Sequence, residues 1–285
     1  MNDAPVFPTV AIVGFGFMGG SLGLAVKRRW PSARVIAVDE KPVLETAVRM
    51  QAADDGGVSL AAAEDASLVV LAAPVRTNIA MLRELPEFVP GDAIVTDVGS
   101  TKAETVAAAA RLPGRLQFIG GHPLAGAALG GIAEARAELF DGRPWLLTPD
   151  GSTSPDALAS LRRFIEGVGA APVELPAAEH DRMVAYLSHL PQLAVTALMH
   201  VVGESVGDEG LALAGRGLRD TTRLASSPVG IWRDIAATNP KQLCEALDAF
   251  IAVLNGFRAQ AEKPDAGFDA VFTSAARWKQ KLDGQ

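Results

Sequence analysis

Cysteine is nearly missing from the chain. Cys244 is the only one among 285 residues, so there is no disulfide framework and no C-x-x-C metal or redox pair. A basic surplus is missing as well. Lysine and arginine number 26 against 33 acids, for a net charge of −7. With no basic stripe and no aromatic-interleaved patch, neither nucleic acid nor an anionic membrane surface is an expected partner. No uninterrupted apolar run reaches membrane-spanning length. The segment Met1-Asn-Asp-Ala-Pro5 has neither the basic start nor the apolar core of a signal peptide, so a soluble, cytoplasmic protein is expected. Internal repeats, H-E-x-x-H, Cys/His clusters and a Ser-His-Asp signature are absent too, which leaves metal and acyl-transfer chemistry without support.

What the chain does have begins at Thr9. Val10–Val13 is a short β-branched apolar run of the kind a buried parallel strand needs. It breaks at Gly14, and helix-forming residues resume at Met18. Gly14, Gly16 and Gly19 fall on the G-x-G-x-x-G spacing. The first permits a tight turn, the second lets a pyrophosphate approach the backbone, and the third lets helix and strand pack closely. The helix start then offers free N–H groups and a positive dipole end to phosphates. A second apolar run, Arg34–Val38, ends at Asp39, twenty residues past Gly19. A carboxylate there accepts from both ribose hydroxyls and repels a 2′-phosphate. Asp39 therefore favours NAD over NADP, with Lys41 close enough to soften the preference.

Strand and helix then alternate. Helices are expected over 42–53, 75–85, 102–111 and 155–168, with Asp54-Asp55-Gly56-Gly57 closing the first. Strands are expected over 68–73, 93–97, 116–119 and 145–148, with an edge strand at 171–175. This predicts an α/β fold with a doubly wound, Rossmann-like parallel sheet, whose ligands lie beyond the carboxyl ends of the strands. Ala73-Pro74, Asp97–Ser100 and Gly120–Gly126 occupy such ends. After Pro176 no strand-like run appears, so two domains are expected, 1–175 and an all-helical 176–285. The first helix of the second spans about 177–202. Pro191 inside it should bend it, while Asp181, Ser188 and Gln192 fall on one line with His189 beside them. Over 241–262, Leu243, Leu247, Phe250, Leu254 and Phe257 form a stripe that suits either a monomer core or a partner chain.

His122 stands in Gly-Gly-His-Pro-Leu-Ala-Gly126, read as a glycine-rich turn at the ligand edge of the sheet. An imidazole there can serve as a general base. Ser100 can cap the following helix or orient His122. Arg219 and Arg223 lie four residues apart, on one face if helical, and suit either a solvated face or bidentate carboxylate binding.

Together these motifs resemble the prephenate/arogenate dehydrogenase family. They are Gly-Phe-Gly-Phe-Met-Gly-Gly-Ser, Asp97-Val-Gly-Ser-Thr-Lys102, the His122 loop, His180-Asp181, Ser188-His-Leu-Pro191, and Arg219-Asp-Thr-Thr-Arg223 with Trp232-Arg-Asp. They occur in family order over nearly the whole chain. The resemblance implies an NAD domain followed by a helical domain that forms a homodimer. It also implies oxidative decarboxylation of prephenate in tyrosine biosynthesis, or of arogenate as the alternative. His122 would then accept the ring-hydroxyl proton and Ser100 would hold the hydroxyl near the nicotinamide. Arg223 would grip a substrate carboxylate, supported by Arg219, with Gln192 and His189 in the substrate cleft. His180 and Asp181 would order that cleft. The cofactor contacts would come from Gly14, Gly16, Phe17, Met18, Gly19, Asp39, Ala73, Pro74 and Ser100, with no metal ion. Gln192 stands where many prephenate-using members carry a second histidine, and this neutral side chain leans toward prephenate. Neither an ACT domain nor a fused chorismate mutase is expected. A β-hydroxyacid dehydrogenase would instead place a lysine on the helical domain, where this chain has His180, Asp181 and His189. A non-catalytic NAD sensor would have little reason to hold His122, Ser100 and Arg223 together.

Overall fold

The apolar runs of the first half form strands that stack into one sheet. In the computed structural model, which describes residues 4–125 and 130–284, β1 is Thr9–Val13, followed by α1 (Phe17–Arg29), β2 (Arg34–Val38), α2 (Lys41–Arg49) and β3 (Asp55–Gly57). Next come β4 (Leu68–Leu71), α3 (Val75–Phe88), β5 (Ala93–Asp97), α4 (Ala103–Ala109) and β6 (Leu116–Pro123). Then follow β7 (Pro144–Thr148), α5 (Pro155–Gly167) and β8 (Ala171–Glu174). The eight strands run in the order β3-β2-β1-β4-β5-β6-β7-β8. Gly126, the last residue of the His122 motif, lies outside the described residues.

From β3 through β6 every pair is parallel. β7 is not: it pairs antiparallel with β6, His122 opposite Leu146, and β8 then runs parallel to β7. The expected doubly wound sheet is thus present and mostly parallel, and its one antiparallel pair has a physical reason. A parallel return needs a crossover element, and between β6 and β7 the described residues hold only the 3₁₀ turn Ile132–Glu134. The short β3 has no signature in the sequence, because Asp55-Gly56-Gly57 carries no strand-forming side chain. Its place comes from pairing with β2, where a Cβ on Gly56 would lie 2.4 Å from the Ala37 carbonyl oxygen.

Apolar side chains cover both faces of the sheet. Val10, Ile12, Leu68 and Val70 pack with Leu22 and Phe164 on one face. Ala11, Val13, Val69 and Leu71 pack with Leu82 and Leu85 on the other. Each fully buried Leu, Ile or Val contributes roughly 1.5–3 kcal/mol relative to an exposed one, which makes this sheet the rigid platform for the site.

Helices fill the rest: α6 (Ala177–Val184), α7 (Leu190–Leu211), α8 (Arg216–Thr221), α9 (Val229–Thr238), α10 (Pro240–Ala259) and α11 (Ala266–Asp283). By compactness the chain forms two units, Met1–Pro240 and Lys241–Gln285. Within the second unit Phe257 packs against Phe268 and Phe272, ring centroids 5.2 and 5.8 Å away. Among the described residues no helix is long and apolar enough to cross a membrane.

The chain stays helical from Ala177 through Pro191, but it widens just before the proline. Between α6 and α7 the chain makes a π turn, Ala185–His189, closed by Leu190 N–H on the Ala185 carbonyl. Pro191 follows in the first turn of α7, and a local π turn is one way a helix accommodates the N–H a proline lacks. The wider turn rotates the residues after it. His189 joins Asp181 and Gln192 on the buried side, while Ser188, expected in that line, is exposed.

Candidate active site

Gly14 leaves β1 with φ +89°, and a Cβ there would lie 2.5 Å from the Ala73 nitrogen. At Gly19 a Cβ would lie 2.1 Å from the Gly14 carbonyl oxygen. Gly16 differs, because nothing lies within 4 Å of its missing Cβ. It opens on a cleft of about 710 Å³ lined by Gly14, Gly16, Asp39, Lys41, Ala73 and Pro74 among others. The cleft lies where β1 and β4 part the sheet connections to opposite sides, the expected ligand position in such folds. No side chain caps α1 and no acid sits in its first turn, so its leading N–H groups and dipole remain available to an anion. The Asp39 carboxylate is held at the lip, its Oδ2 accepting from Phe15 N–H at 2.6 Å and its Oδ1 from Glu40 N–H at 2.7 Å. Phe17, Met18 and Gly19 form the first turn of α1. The Phe17 ring is buried and meets the Arg136 guanidinium at 6.0 Å.

At the far end of β5 a buried ion pair organises the next strand. Asp97 and Lys102 are both fully buried and paired through Asp97 Oδ2. Asp97 Oδ1 accepts from Gly121 N–H at 3.0 Å, and its Oδ2 also accepts from Gly99 N–H at 2.9 Å. Burial pulls the Lys102 ammonium below the usual lysine range, and Asp97 pulls it back. Gly121 is required at its place, since a Cβ there would lie 2.5 Å from the Asp97 carbonyl oxygen. His122 is the next residue. It sits on strand β6, not on a turn, because β7 extends the ladder through Pro123.

From His122 a chain of bonds leads into the helices. Its Nδ1 lies 2.8 Å from His180 Nε2, and His180 Nδ1 lies 2.8 Å from Asp181 Oδ1. Asp181 also accepts from Lys102 N–H at 2.7 Å and Ala103 N–H at 2.9 Å. A carboxylate only accepts, so His180 donates from Nδ1 and its Nε2 must accept. His122 therefore donates from Nδ1, and its Nε2 keeps a free lone pair. Burial, followed by the His180, Lys102 and His189 charges, holds His122 well below the ordinary histidine range. Burial likewise lowers His180, opposed by its bond to Asp181. Both rings are neutral near pH 7.

Asp181 also caps α4, a role the sequence suggested for Ser100. Ser100 lies half-buried in the loop between β5 and α4, and the partner of His122 Nδ1 is His180. His189 is 1% exposed with neither ring nitrogen bonded among the described residues, its ring edge-on to Trp232 at 6.2 Å. Burial lowers its pKa from 6.5 to about 4. The unfolded chain takes up this proton near pH 6.5 and the folded chain only near 4, so acidification favours unfolding. The native state should lose about 3 kcal/mol between those pH values. Thermal unfolding of His189→Leu should therefore depend less steeply on pH in that range, and an unchanged slope would count against this assignment.

Gln192 is buried and fully engaged. Its Nε2 donates to the Leu224 carbonyl at 2.8 Å and to Thr196 Oγ1 at 3.1 Å, while its Oε1 accepts from Ser227 Oγ at 3.1 Å. It thereby pins the 3₁₀ turn Arg223–Ser226. Arg219 and Arg223 do not share a helix face. α8 ends at Thr221, and both guanidinium groups are exposed without partners among the described residues.

Comparison with known proteins gives a consistent result. Residues 22–174 match the family model for the prephenate dehydrogenase nucleotide-binding domain, and residues 176–267 the one for the prephenate dehydrogenase dimerization domain. The chain belongs to the prephenate dehydrogenase family. It is 35% identical to prephenate dehydrogenase of Bacillus subtilis over 90% of this chain and 71% of that protein. Among solved structures it is similar to prephenate dehydrogenase from Aquifex aeolicus in complex with hydroxyphenyl propionate and NAD+. The TM-score is 0.88 at 30% identity, covering 96% of this chain and 98% of that one. Synechocystis arogenate dehydrogenase is similar at TM-score 0.80 and 31% identity, covering 96% and 99%.

As a member of this family the chain is an NAD-dependent oxidoreductase, and its cleft fits that cofactor. Gly16 leaves room for a pyrophosphate where a Cβ would stand, and Asp39 offers a carboxylate for the ribose. Sequence reasoning assigned no role to Asp97 or Lys102. One signal was present: a lysine at a helix start opposes the dipole, which marks Lys102 as placed for its charge.

Proposed function

We propose that the protein oxidatively decarboxylates prephenate to 4-hydroxyphenylpyruvate, with His122 as the proton acceptor. The observation that carries this reading is the Asp181–His180–His122 chain, which leaves a neutral imidazole with its Nε2 free. NAD held by the Gly14–Gly16 turn and Asp39 would supply the acceptor for the hydride of the ring carbinol carbon. His122 Nε2 takes the hydroxyl proton as that C–H bond breaks, and Asp181 steadies the positive charge that spreads over the two rings. The bond to the ring carboxylate breaks, carbon dioxide leaves, and its electron pair closes the aromatic ring. The proton then returns to the phenolate oxygen. Aromatisation drives the step, so the protein's work is positioning and proton handling. Ser100 orients the hydroxyl, and Arg223 grips the ring carboxylate with Arg219 in support. His189, buried against Trp232, orders the cleft, and Gln192 acts through the Arg223 turn it holds. The reading further includes tyrosine biosynthesis in the cytoplasm, a domain boundary near Pro176 and a homodimer through the helical domain. NADH formation measured with prephenate, arogenate and 3-hydroxyisobutyrate in parallel tests it, and turnover of only the last would overturn it.

Prephenate and arogenate share the ring carboxylate. Arg223→Ala should therefore raise KM for each accepted substrate by about thirtyfold with kcat little changed. That is the low end of the usual loss for a charged pair, because Arg223 is exposed. Steady-state kinetics with both substrates decide it, and an unchanged KM would remove Arg223 from the role.

A further inference from the structure

Helix α9 ends in two buried polar residues that no sequence motif picked out and the proton path does not use, Thr238 at 4% and Asn239 at 5% exposure. Their bonds run to both arms of the site. Thr238 Oγ1 donates to the Asp234 carbonyl at 2.8 Å, so its lone pair must receive the hydroxyl of Thr101, 2.7 Å away. Thr101 directly follows Ser100. Asn239 Nδ2 donates to the Asp181 carbonyl at 2.8 Å, and Asp181 in turn anchors His180. The same helix carries Trp232, whose ring meets His189.

We propose that Thr238 and Asn239 are positioning residues that hold the Ser100 loop and the His180–Asp181 segment in register with each other. The inference rests on His122 and Ser100 acting in the reaction as described above. The bonds are directional. Thr101 donates to Thr238 and Thr238 to Asp234, so a side chain of the same shape without a hydroxyl at 238 removes both links and leaves packing intact. The Ser100 loop then loses its tie to α9, while the NAD cleft keeps every wall.

The test uses the full-length protein and four variants: Thr238→Val, Thr101→Val, the double variant, and Thr238→Ser. Each valine variant should lower kcat roughly three- to tenfold, the kinetic equivalent of one neutral buried hydrogen bond, with KM for NAD unchanged. Thr238→Ser should restore the rate. The double variant should be no worse than the poorer single one, since both changes cut the same bond. A general loss of folding would instead lower apparent kcat in step with the folded fraction and would not be rescued by serine. Multiplicative losses in the double variant, or full activity in Thr238→Val, would overturn the proposal, and if Thr238→Val does not fold, full activity in Thr101→Val does so alone. His122→Asn serves as the reference: wild-type activity there would sink the assignment of the base, whereas the coupling between Thr101 and Thr238 is read independently of it.

Discussion

His122→Asn should lower kcat by about two to four orders of magnitude, the usual range for loss of a general base. Asparagine is a stringent substitution at this place. Its amide can still donate toward His180 Nε2, so the chain through His180 to Asp181 remains filled and α4 keeps its cap. What disappears is the basic nitrogen at the other edge of the ring. Since substrate binding falls to other residues, KM for prephenate should move little. The pH profile gives the sharper test. The wild-type rate should rise with pH through a group lying well below the ordinary histidine value, because burial and the neighbouring His180, Lys102 and His189 disfavour the charged ring. Asp97 and Asp181, the acids nearest this cluster, are already committed to Lys102, Gly121 and the start of α4. In the variant that limb should vanish. A profile that keeps it would assign the titration to another group and remove His122 from the role.

Discrimination between cofactors is the second large effect. The carboxylate of Asp39 is fixed at the lip of the cleft by two backbone N–H groups, so it cannot swing away from an added 2′-phosphate. Two like charges about 4 Å apart near a protein surface repel by roughly 4 kcal/mol. Screening reduces that figure, and Lys41 on the same cleft reduces it further. The kcat/KM for NAD should still exceed that for NADP by on the order of a hundredfold or more. Asp39→Asn, which keeps an acceptor for Phe15 N–H, should narrow the gap without disturbing the turn, and Asp39→Ser should narrow it at some loss of order. Equal use of both cofactors by the wild type would contradict this account.

The features that were legible in the sequence are those carried by local pattern. Val10–Val13, Leu68–Leu71 and Ala93–Val95 are apolar because both faces of their sheet are covered, and Gly14 and Gly19 are glycine for close backbone contacts while Gly16 leaves open space in the cleft. Features set by partners distant in sequence were not legible. β3 has no strand-like side chain, and only β2 makes it a strand. His122 follows two glycines and precedes a proline, a turn signature that pairing with β7 overrides. The helix starting at Ala103 has its cap on Asp181, 78 residues away, so Ser100 was the natural and mistaken choice. Pro191 announced an irregularity, but not that one extra residue in a π turn would bring His189 inward and send Ser188 out. The Thr101–Thr238 bond spans 137 residues and leaves no trace in composition or periodicity.

The strand position of His122 bears on how this enzyme can diversify. The proposed base is a rung in a ladder bonded on β7, with Gly121 beside it closed to any larger side chain. Mutational drift at that place is therefore nearly forbidden, and the chemistry is inherited whole or lost. Arg219 and Arg223 sit instead on a six-residue helix and a single 3₁₀ turn held by Gln192, where a substitution disturbs little beyond its neighbours. On the roles proposed for these residues, new substrate preferences have their room there, among short exposed elements, while the reaction itself stays fixed in the sheet.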